Sequence, residues 1–477
     1  MEPITVKELT KACGGRLLCG KEDTLAAHIS IDSRSITGGD LSVPLAGERN
    51  DAHRFIRQAF ENGAAAVLTS RHKTLEQVLE DGQDPAAESA GGDPRLLHPW
   101  IAVEDTRQAL QALGSYYRSL RDIPVVGITG SVGKTTTREM IAAALSGGFR
   151  VYQTPGNHNS QVGVPMTLSE ISPEDEMAVI ELGMSEPGEL TVIARIARPD
   201  LAVITNIGVS HIGQLGSQEA IFREKMTIQD GLRDGGVLLL NGDDPFLSRA
   251  CGKPGCRTYY YGTGEACQYR ALDIHMENGM PSFTADCRGR KIGVSLQVPG
   301  LHQVRNAMAA LAAADVSGVP LEAAAERLGH FSGFARRQQI RPCRDITVID
   351  DTYNASPASM RAALGILASM EPEGRRAAVL ADMKELGEEE VRFHRETGEY
   401  LAGLPVDLLV TCGTLAEQIG TGAIQVRPDL TWIHTENLEE LKQWLADGIH
   451  AGDCVLFKGS NSMKLGEAAD DVCQRHH

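Results

Sequence analysis

Apolar runs separated by longer amphipathic stretches divide the chain into alternating strands and helices. In the middle of the chain, strands are expected at 123–128, 177–182, 201–207 and 237–241. Helices are expected at 106–120 and 139–145, and around 188–194 and 218–232. This alternation is the mark of a parallel α/β sheet. Between 258 and 298 the pattern changes to short strands of alternating polarity, expected as an antiparallel extension, before an alanine-rich helix at 306–316. The alternation then resumes, with strands at 346–349, 377–381, 408–411 and 453–457 and helices at 359–369, 388–401, 415–419 and 438–445. It reads as a second, smaller doubly wound domain. Ahead of both lies a block of short elements, including a helix at 55–62 and a strand at 64–69, closed by a Gly/Pro/acid-rich loop at 81–99. The expected fold class is α/β in three domains, at 1–104, 105–317 and 318–477.

Length agrees with several domains, since 477 residues exceed what one ordinary core supports. Hydrophobic residues make up 42% and charged residues 23%, an ordinary globular balance. The net charge of −17 argues against a general nucleic-acid binder. No stretch reaches the ~18–20 apolar residues of a membrane span. The N-terminus has no basic region followed by an apolar core, so no signal peptide and a cytoplasmic location are expected. The ten cysteines form no Cys-x-x-Cys. They read as thiols in a reducing compartment, with zinc or a disulfide at Cys251 and Cys256 or Cys13 and Cys19 as the alternative.

One segment carries explicit chemistry: Gly127-Ile128-Thr129-Gly130-Ser131-Val132-Gly133-Lys134-Thr135-Thr136-Thr137. It follows an apolar strand and opens a helix, the context of a phosphate cradle. Glycines let backbone amides approach phosphate oxygens, the helix start adds its positive end, Lys134 adds charge, and Thr135 suits Mg²⁺. The spacing departs from the usual pattern, because Ile128 stands where the first glycine is expected. Glu181 and His211 follow strands of the same block, where carboxyl ends form a ligand crevice. Each is either a metal ligand or a strand-end or loop group with an ordinary partner. Lys225 reads, on pattern alone, as an exposed helix lysine. In the third block Asp350-Asp351 suits ribose hydroxyls or a helix cap. Lys458-Gly459-Ser460, after the last strand, suits a carboxylate or phosphate, or is a plain turn.

Taken together these segments resemble the Mur ligases, the ATP-dependent amino-acid ligases of peptidoglycan synthesis. The likeness runs in family order through 129–136, the stretch Gly156-Asn157-His158-Asn159-Ser160-Gln161-Val162-Gly163, Glu181-Leu182-Gly183, Asn206-Ile207-Gly208 with His211, Lys225, and His302-Gln303-Val304-Arg305-Asn306. Three further stretches resemble the branch that adds D-alanyl-D-alanine to a UDP-muramoyl-tripeptide. They are Asp32-Ser33-Arg34 with Gly47-Glu48-Arg49, then 351–360 with Tyr353-Asn354-Ala355, and 457–463 with Lys458-Gly459-Ser460.

The resemblance implies a UDP-binding first domain, a central ATPase-type parallel sheet and a Rossmann-like third domain. It implies ATP and two Mg²⁺ sites, two small-molecule substrates, no nucleic-acid partner and a monomer. Gly130, Ser131, Val132, Gly133, Lys134, Thr135 and Thr136 would hold the phosphates. Asn306 would meet adenine, and Arg337 and Asp351 the ribose and phosphate region. Thr135, Glu181, His211 and Lys225 would serve the metals, Lys225 as a carbamate; with Lys134, the last three form the expected catalytic set. Asp32, Ser33 and Arg34 would lie in the UDP-binding domain, Asn157 would bind substrate, and Tyr353, Asn354 and Lys458 would lie near the dipeptide. This sequence departs from the family pattern at His211-Ile212-Gly213, where an acid usually follows the histidine by two. It departs also at Gln303, Ser160, Ser42 and Ala52. A folylpolyglutamate-type ligase shares the phosphate loop, and a non-catalytic nucleotide-binding module is the rival of a different class. The Asp-Ser-Arg and Tyr-Asn-Ala stretches disfavour the first; Glu181, His211 and Lys225 disfavour the second.

Overall fold

The computed structural model describes residues 2–47, 50–277 and 279–475. Glu48 and Arg49, part of one family-like stretch, lie outside the described residues. Among the described residues the chain forms three large sheets in sequence order. The first has five strands, ordered Arg16–Cys19, Trp100–Ala102, Ala66–Thr69, Asp40–Ser42 and His28–Ser30. All its pairs are parallel except the one between Arg16–Cys19 and Trp100–Ala102. The expected loop at 81–99 is irregular apart from one short turn of helix, Pro94–Leu96. Its buried Asp84 accepts from Trp100 Nε1 at 3.0 Å and His98 Nδ1 at 2.7 Å, which ties the loop to the sheet.

The central sheet has nine strands. Val125–Thr129 lies between Met177–Glu181 and Leu201–Ile204, all parallel, so the phosphate loop leaves the sheet beside the ends of both neighbours. Val151–Gln153 closes one edge. On the other side Val237–Asn241 and Arg257–Gly262 continue the parallel order. The antiparallel extension begins only with Tyr269–Glu277, Met280–Cys287 and Arg290–Ser295, because Arg257–Gly262 is parallel to its neighbours. One face is covered by the helices Lys134–Leu145, His302–Val316 and Leu321–Gly329, the other by Gly163–Ser169 and Glu189–Ala197.

Two helices begin just past the expected domain limits yet bury residues in the core that precedes each limit. Leu321, Ala324 and Leu328 of Leu321–Gly329 are buried in the central core, although a limit was expected at 317. Leu110, Leu113 and Tyr117 of the helix Thr106–Ser119 are buried in the core of the first sheet, although a limit was expected at 104.

The third sheet is ordered Gln339–Cys343, Ile346–Asp351, Cys454–Lys458, Arg376–Ala381, Leu408–Cys412 and Thr431–Thr435. Only the first pair is antiparallel. Three helices cover one face (Pro357–Ser369, Glu390–Ala402, Glu417–Val426) and two the other (Leu438–Gly448, Leu465–Arg475). Ser356 caps the first of these helices, its hydroxyl accepting from the Ser359 amide with Pro357 just inside. A disulfide joins Cys343 to Cys473, against the expectation of thiols throughout: the strand Gln339–Cys343 and the helix Leu465–Arg475 bring the two Cα atoms to 5.2 Å, which no spacing in the chain announces. Cys13, Cys19, Cys251 and Cys256 are free.

Candidate active site

The carboxyl ends of the central and third sheets face each other across a cavity of about 930 Å³. On the central side lie Ser131 to Thr136, Asn157, Glu181, His211 and Asn306; on the other lie Arg337, Asp351, Tyr353, Asn354 and Lys458. Asp32, Ser33 and Arg34 do not line it. There Arg34 Nη2 donates to Asp32 Oδ2 at 2.7 Å, which draws the Asp32 carboxyl down to about 2, and the Ser33 hydroxyl donates to Gln58.

The phosphate loop is braced by the segment after the next strand. Asn206 clasps Val132, accepting from its amide at 2.9 Å and donating to its carbonyl at 2.8 Å. The Gly208 amide donates to Ser131 Oγ at 2.8 Å. Thr205 sits so close to Gly130 that a Cβ there would lie 1.8 Å from its hydroxyl oxygen. Gly133 opens the helix at φ 82° with no side-chain cap, so the first amides of Lys134–Leu145 remain available to an anion. Lys134 Nζ donates to the Gly130 carbonyl at 2.8 Å. Burial lowers the Lys134 ammonium below its ordinary value, and Glu181 opposes that shift.

Glu181 is 2% exposed and held from two sides. Asn159 Nδ2 donates to Oε1 at 2.7 Å, and Arg138 Nη1 lies 3.4 Å from Oε2. Neither holder was singled out from the sequence. Arg138 follows Lys134 by one helical turn, a spacing that puts both on one face and is the signal that was available. His211 adopts φ 63°, a left-handed conformation rare outside glycine. Its Nδ1 stands 3.7 Å from Glu385, which reaches it from the third sheet's side of the cavity. Gly387, at φ 60°, packs close to Gly213: a Cβ at Gly387 would lie 3.1 Å from the Gly213 Cα. Burial above all pushes the His211 imidazole down to about 4, leaving it a neutral nitrogen ligand at neutral pH.

Lys225 corrects the exposed-lysine reading. It is 1% exposed, on a helix, Gln218–Met226, that packs against Glu189–Ala197 and buries Ile221 in the central core. Burial holds its amine well below the ordinary lysine value, and Lys134 adds to the shift. A neutral amine is the form that adds CO₂.

On the nucleotide side, Thr137 Oγ1 donates to Asn306 Oδ1 at 3.1 Å, and Asn306 Nδ2 donates to Gln303 Oε1 at 2.8 Å. Gln303 in turn donates to Gln338 at 3.1 Å, so the departure from the family pattern at 303 supports Asn306 directly. The guanidinium of Arg337 lies 3.9 Å above the Tyr353 ring, and its Nε is buried without a partner. That orphaned donor, the open amides and Lys134 fit a triphosphate. Among the described residues no three His, Cys, Asp or Glu side chains converge into a metal cage. The donor set fits Mg²⁺ bound through one carboxylate with phosphate oxygens completing the shell. Burial raises the Asp351 carboxyl, against the pull of Lys458, whose Nζ lies 2.6 Å from Oδ2, and of Arg337.

Family models match three segments: the Mur ligase family catalytic domain at residues 26–118, the Mur ligase middle domain at 128–314, and the Mur ligase glutamate ligase domain at 336–461. The UDP-N-acetylmuramoyl-tripeptide–D-alanyl-D-alanine ligase of Bacillus subtilis is 37% identical over 472 residues, 98% of each chain. The chain belongs to the Mur ligase family. Its fold agrees with solved Mur ligases. The crystal structure of MurF from Acinetobacter baumannii superposes with a TM-score of 0.88 at 31% identity, over 99% of both chains. MurF ligase from Thermotoga maritima, solved in complex with ADP, gives a TM-score of 0.80 at 27% identity, over 94% of this chain and 98% of that one. The three-domain α/β architecture expected from the sequence is thus the one this Mur ligase adopts.

Proposed function

We propose that this Mur ligase joins D-alanyl-D-alanine to UDP-N-acetylmuramoyl-tripeptide, with ATP cleaved to ADP and phosphate. The observation that carries the reading is the shared cavity, where a phosphate loop faces the Tyr353-Asn354 and Lys458 segments. Full-length similarity to the Bacillus subtilis enzyme supports it. The substrate carboxylate attacks the γ-phosphorus of ATP, giving an acyl phosphate and ADP. The dipeptide amine then attacks the acyl carbon, and phosphate leaves from the tetrahedral intermediate. Two anions meet in the first step, so Lys134 and the loop amides offset repulsion where charge builds up. Mg²⁺, held by Thr135, Glu181, His211 and carbamylated Lys225, would supply further charge neutralisation when bound. Closure of the third domain over the cavity excludes water from the acyl phosphate.

Asp32, Ser33 and Arg34 are proposed to bind the UDP substrate and Asn157, which lines the cavity, to bind substrate there, and the enzyme to act as a cytoplasmic monomer. No helix of the described residues is long and apolar enough to cross a membrane. The test is phosphate release with a panel of acyl and amine substrates. Release only with UDP-muramoyl-tripeptide plus D-alanyl-D-alanine supports the reading; release with a folate and glutamate instead would replace it with the folylpolyglutamate-type activity.

A further inference from the structure

The resemblance puts Lys458 and Tyr353 beside the dipeptide, yet both side chains are already engaged elsewhere. Lys458 ends the strand Cys454–Lys458 and its side chain is 1% exposed. Its Nζ donates to Asp351 Oδ2 at 2.6 Å and to the Asn354 carbonyl at 3.0 Å. Asp351 ends the neighbouring parallel strand, in register with Lys458. The loop after it is therefore pinned twice: Thr352 Oγ1 donates to Asp350 Oδ1 at 2.7 Å, and Lys458 holds the Asn354 carbonyl. Between those pins sits Tyr353. Its amide donates to the Arg336 carbonyl at 3.1 Å, and its ring lies 3.9 Å under the Arg337 guanidinium. A ring takes the face of a guanidinium and leaves its in-plane donors open. The unpartnered Nε of Arg337 is such a donor.

We infer that Lys458 is a positioning residue for the nucleotide half of the site: it joins Asp351 to the Asn354 carbonyl and so fixes the loop on which Tyr353 supports Arg337. The inference rests on the reading that Arg337 and Asp351 meet ATP. A lysine that turned to the dipeptide carboxylate would leave Asp351 buried without its cation, a costly exchange. The acceptor-side loop and the nucleotide-side residues thus form one mechanical unit, with Lys458 as its joint.

The test measures binding of a non-hydrolysable ATP analogue with Mg²⁺ by calorimetry, with no tripeptide or dipeptide present, beside KM for D-alanyl-D-alanine. Lys458→Met is expected to weaken analogue binding about tenfold, the worth of a desolvated cation–π contact, with the dipeptide KM within about threefold of the parent. Lys458→Arg, which re-forms the pair with Asp351, is expected to restore most of the lost affinity. Unchanged analogue binding in Lys458→Met with a raised dipeptide KM would overturn the inference. Arg337→Ala and Asp351→Asn separate it from its parent reading. If both bind the analogue as the parent does, the parent reading fails; if they bind weakly and Lys458→Met does not, only this inference fails. Should Lys458→Met not fold, Tyr353→Leu keeps the ion pair and removes the ring. Weaker analogue binding then supports the inference, and parental binding overturns it.

Discussion

Replacing Arg138 by methionine should loosen the central sheet at the point where Glu181 is held. The guanidinium is 1% exposed, and its Nη1 contacts the Gly156 carbonyl at 2.9 Å and Glu181 Oε2 at 3.4 Å, while Nη2 donates to Glu139. Methionine fills much of the volume but carries no charge. Glu181 would keep only the Asn159 amide as a side-chain partner in a pocket that exposes 2% of it. Stranding one member of a buried ion pair costs about 3–5 kcal/mol, a large share of the roughly 5–15 kcal/mol that holds a domain folded. All three tryptophans, Trp100, Trp432 and Trp444, lie outside the central sheet, so their fluorescence misses the event. Hydrogen exchange at the amides of Val125–Thr129 and Met177–Glu181 reads it directly. At about 1.4 kcal/mol per decade, exchange there should speed up by roughly two to three and a half powers of ten. Exchange within a factor of about five of the parent would refute the claim that this arginine holds the Glu181 carboxylate in place.

If Lys225 is carbamylated as proposed, Lys225→Ala should be inactive yet regain part of its activity with added acetate or formate, whose oxygens stand in for those of the carbamate; no rescue, with an unmodified lysine by mass in the parent protein, would count against carbamylation. Asp453 is buried, which pushes its carboxyl up, but hydrogen bonds from Arg375 and the His450 amide outweigh that and leave it lowered. A lowered carboxyl stabilises the fold above its unfolded value of about 4 and stops doing so as pH falls through its folded value. Asp453→Asn should therefore be less stable than the parent at neutral pH, with the gap in thermal unfolding closing below about pH 4; a gap that stays constant would contradict this. The disulfide closes a loop with a sequence separation of 130 residues. Denatured, unreduced protein should titrate eight thiols rather than ten, and Cys343→Ser with Cys473→Ser should destabilise the third domain by up to about 5 kcal/mol in the chain-entropy model.

Uninterrupted apolar runs such as 177–180 and 237–240 announce buried parallel strands, and glycine spacing announces the phosphate loop, so the fold class and the ATP side were legible. Gln339–Cys343 was not, because Arg341 and Pro342 break an apolar reading, and an antiparallel edge tolerates proline. Thr431–Thr435 was missed for a similar reason: an edge strand with Trp432 and His434 half-buried lacks a clean period. Lys225 looked exposed because its neighbours Arg223 and Glu224 are charged; its burial comes from the packing of its helix against neighbours such as Glu189–Ala197, about thirty residues earlier in the chain. The pairing of Lys458 with Asp351 depends on the register of two parallel strands about a hundred residues apart, which no local spacing reveals. The family resemblance supplied the expected roles, but which side chains hold which became visible only in three dimensions.

The most direct test of the central claim is the ligated product itself. Purified protein with ATP, Mg²⁺, UDP-N-acetylmuramoyl-tripeptide and D-alanyl-D-alanine should yield UDP-N-acetylmuramoyl-pentapeptide by mass spectrometry, one phosphate for each product formed, and none of either when D-alanyl-D-alanine is omitted. Phosphate release without pentapeptide, or pentapeptide formed equally well with other amines, would contradict the account.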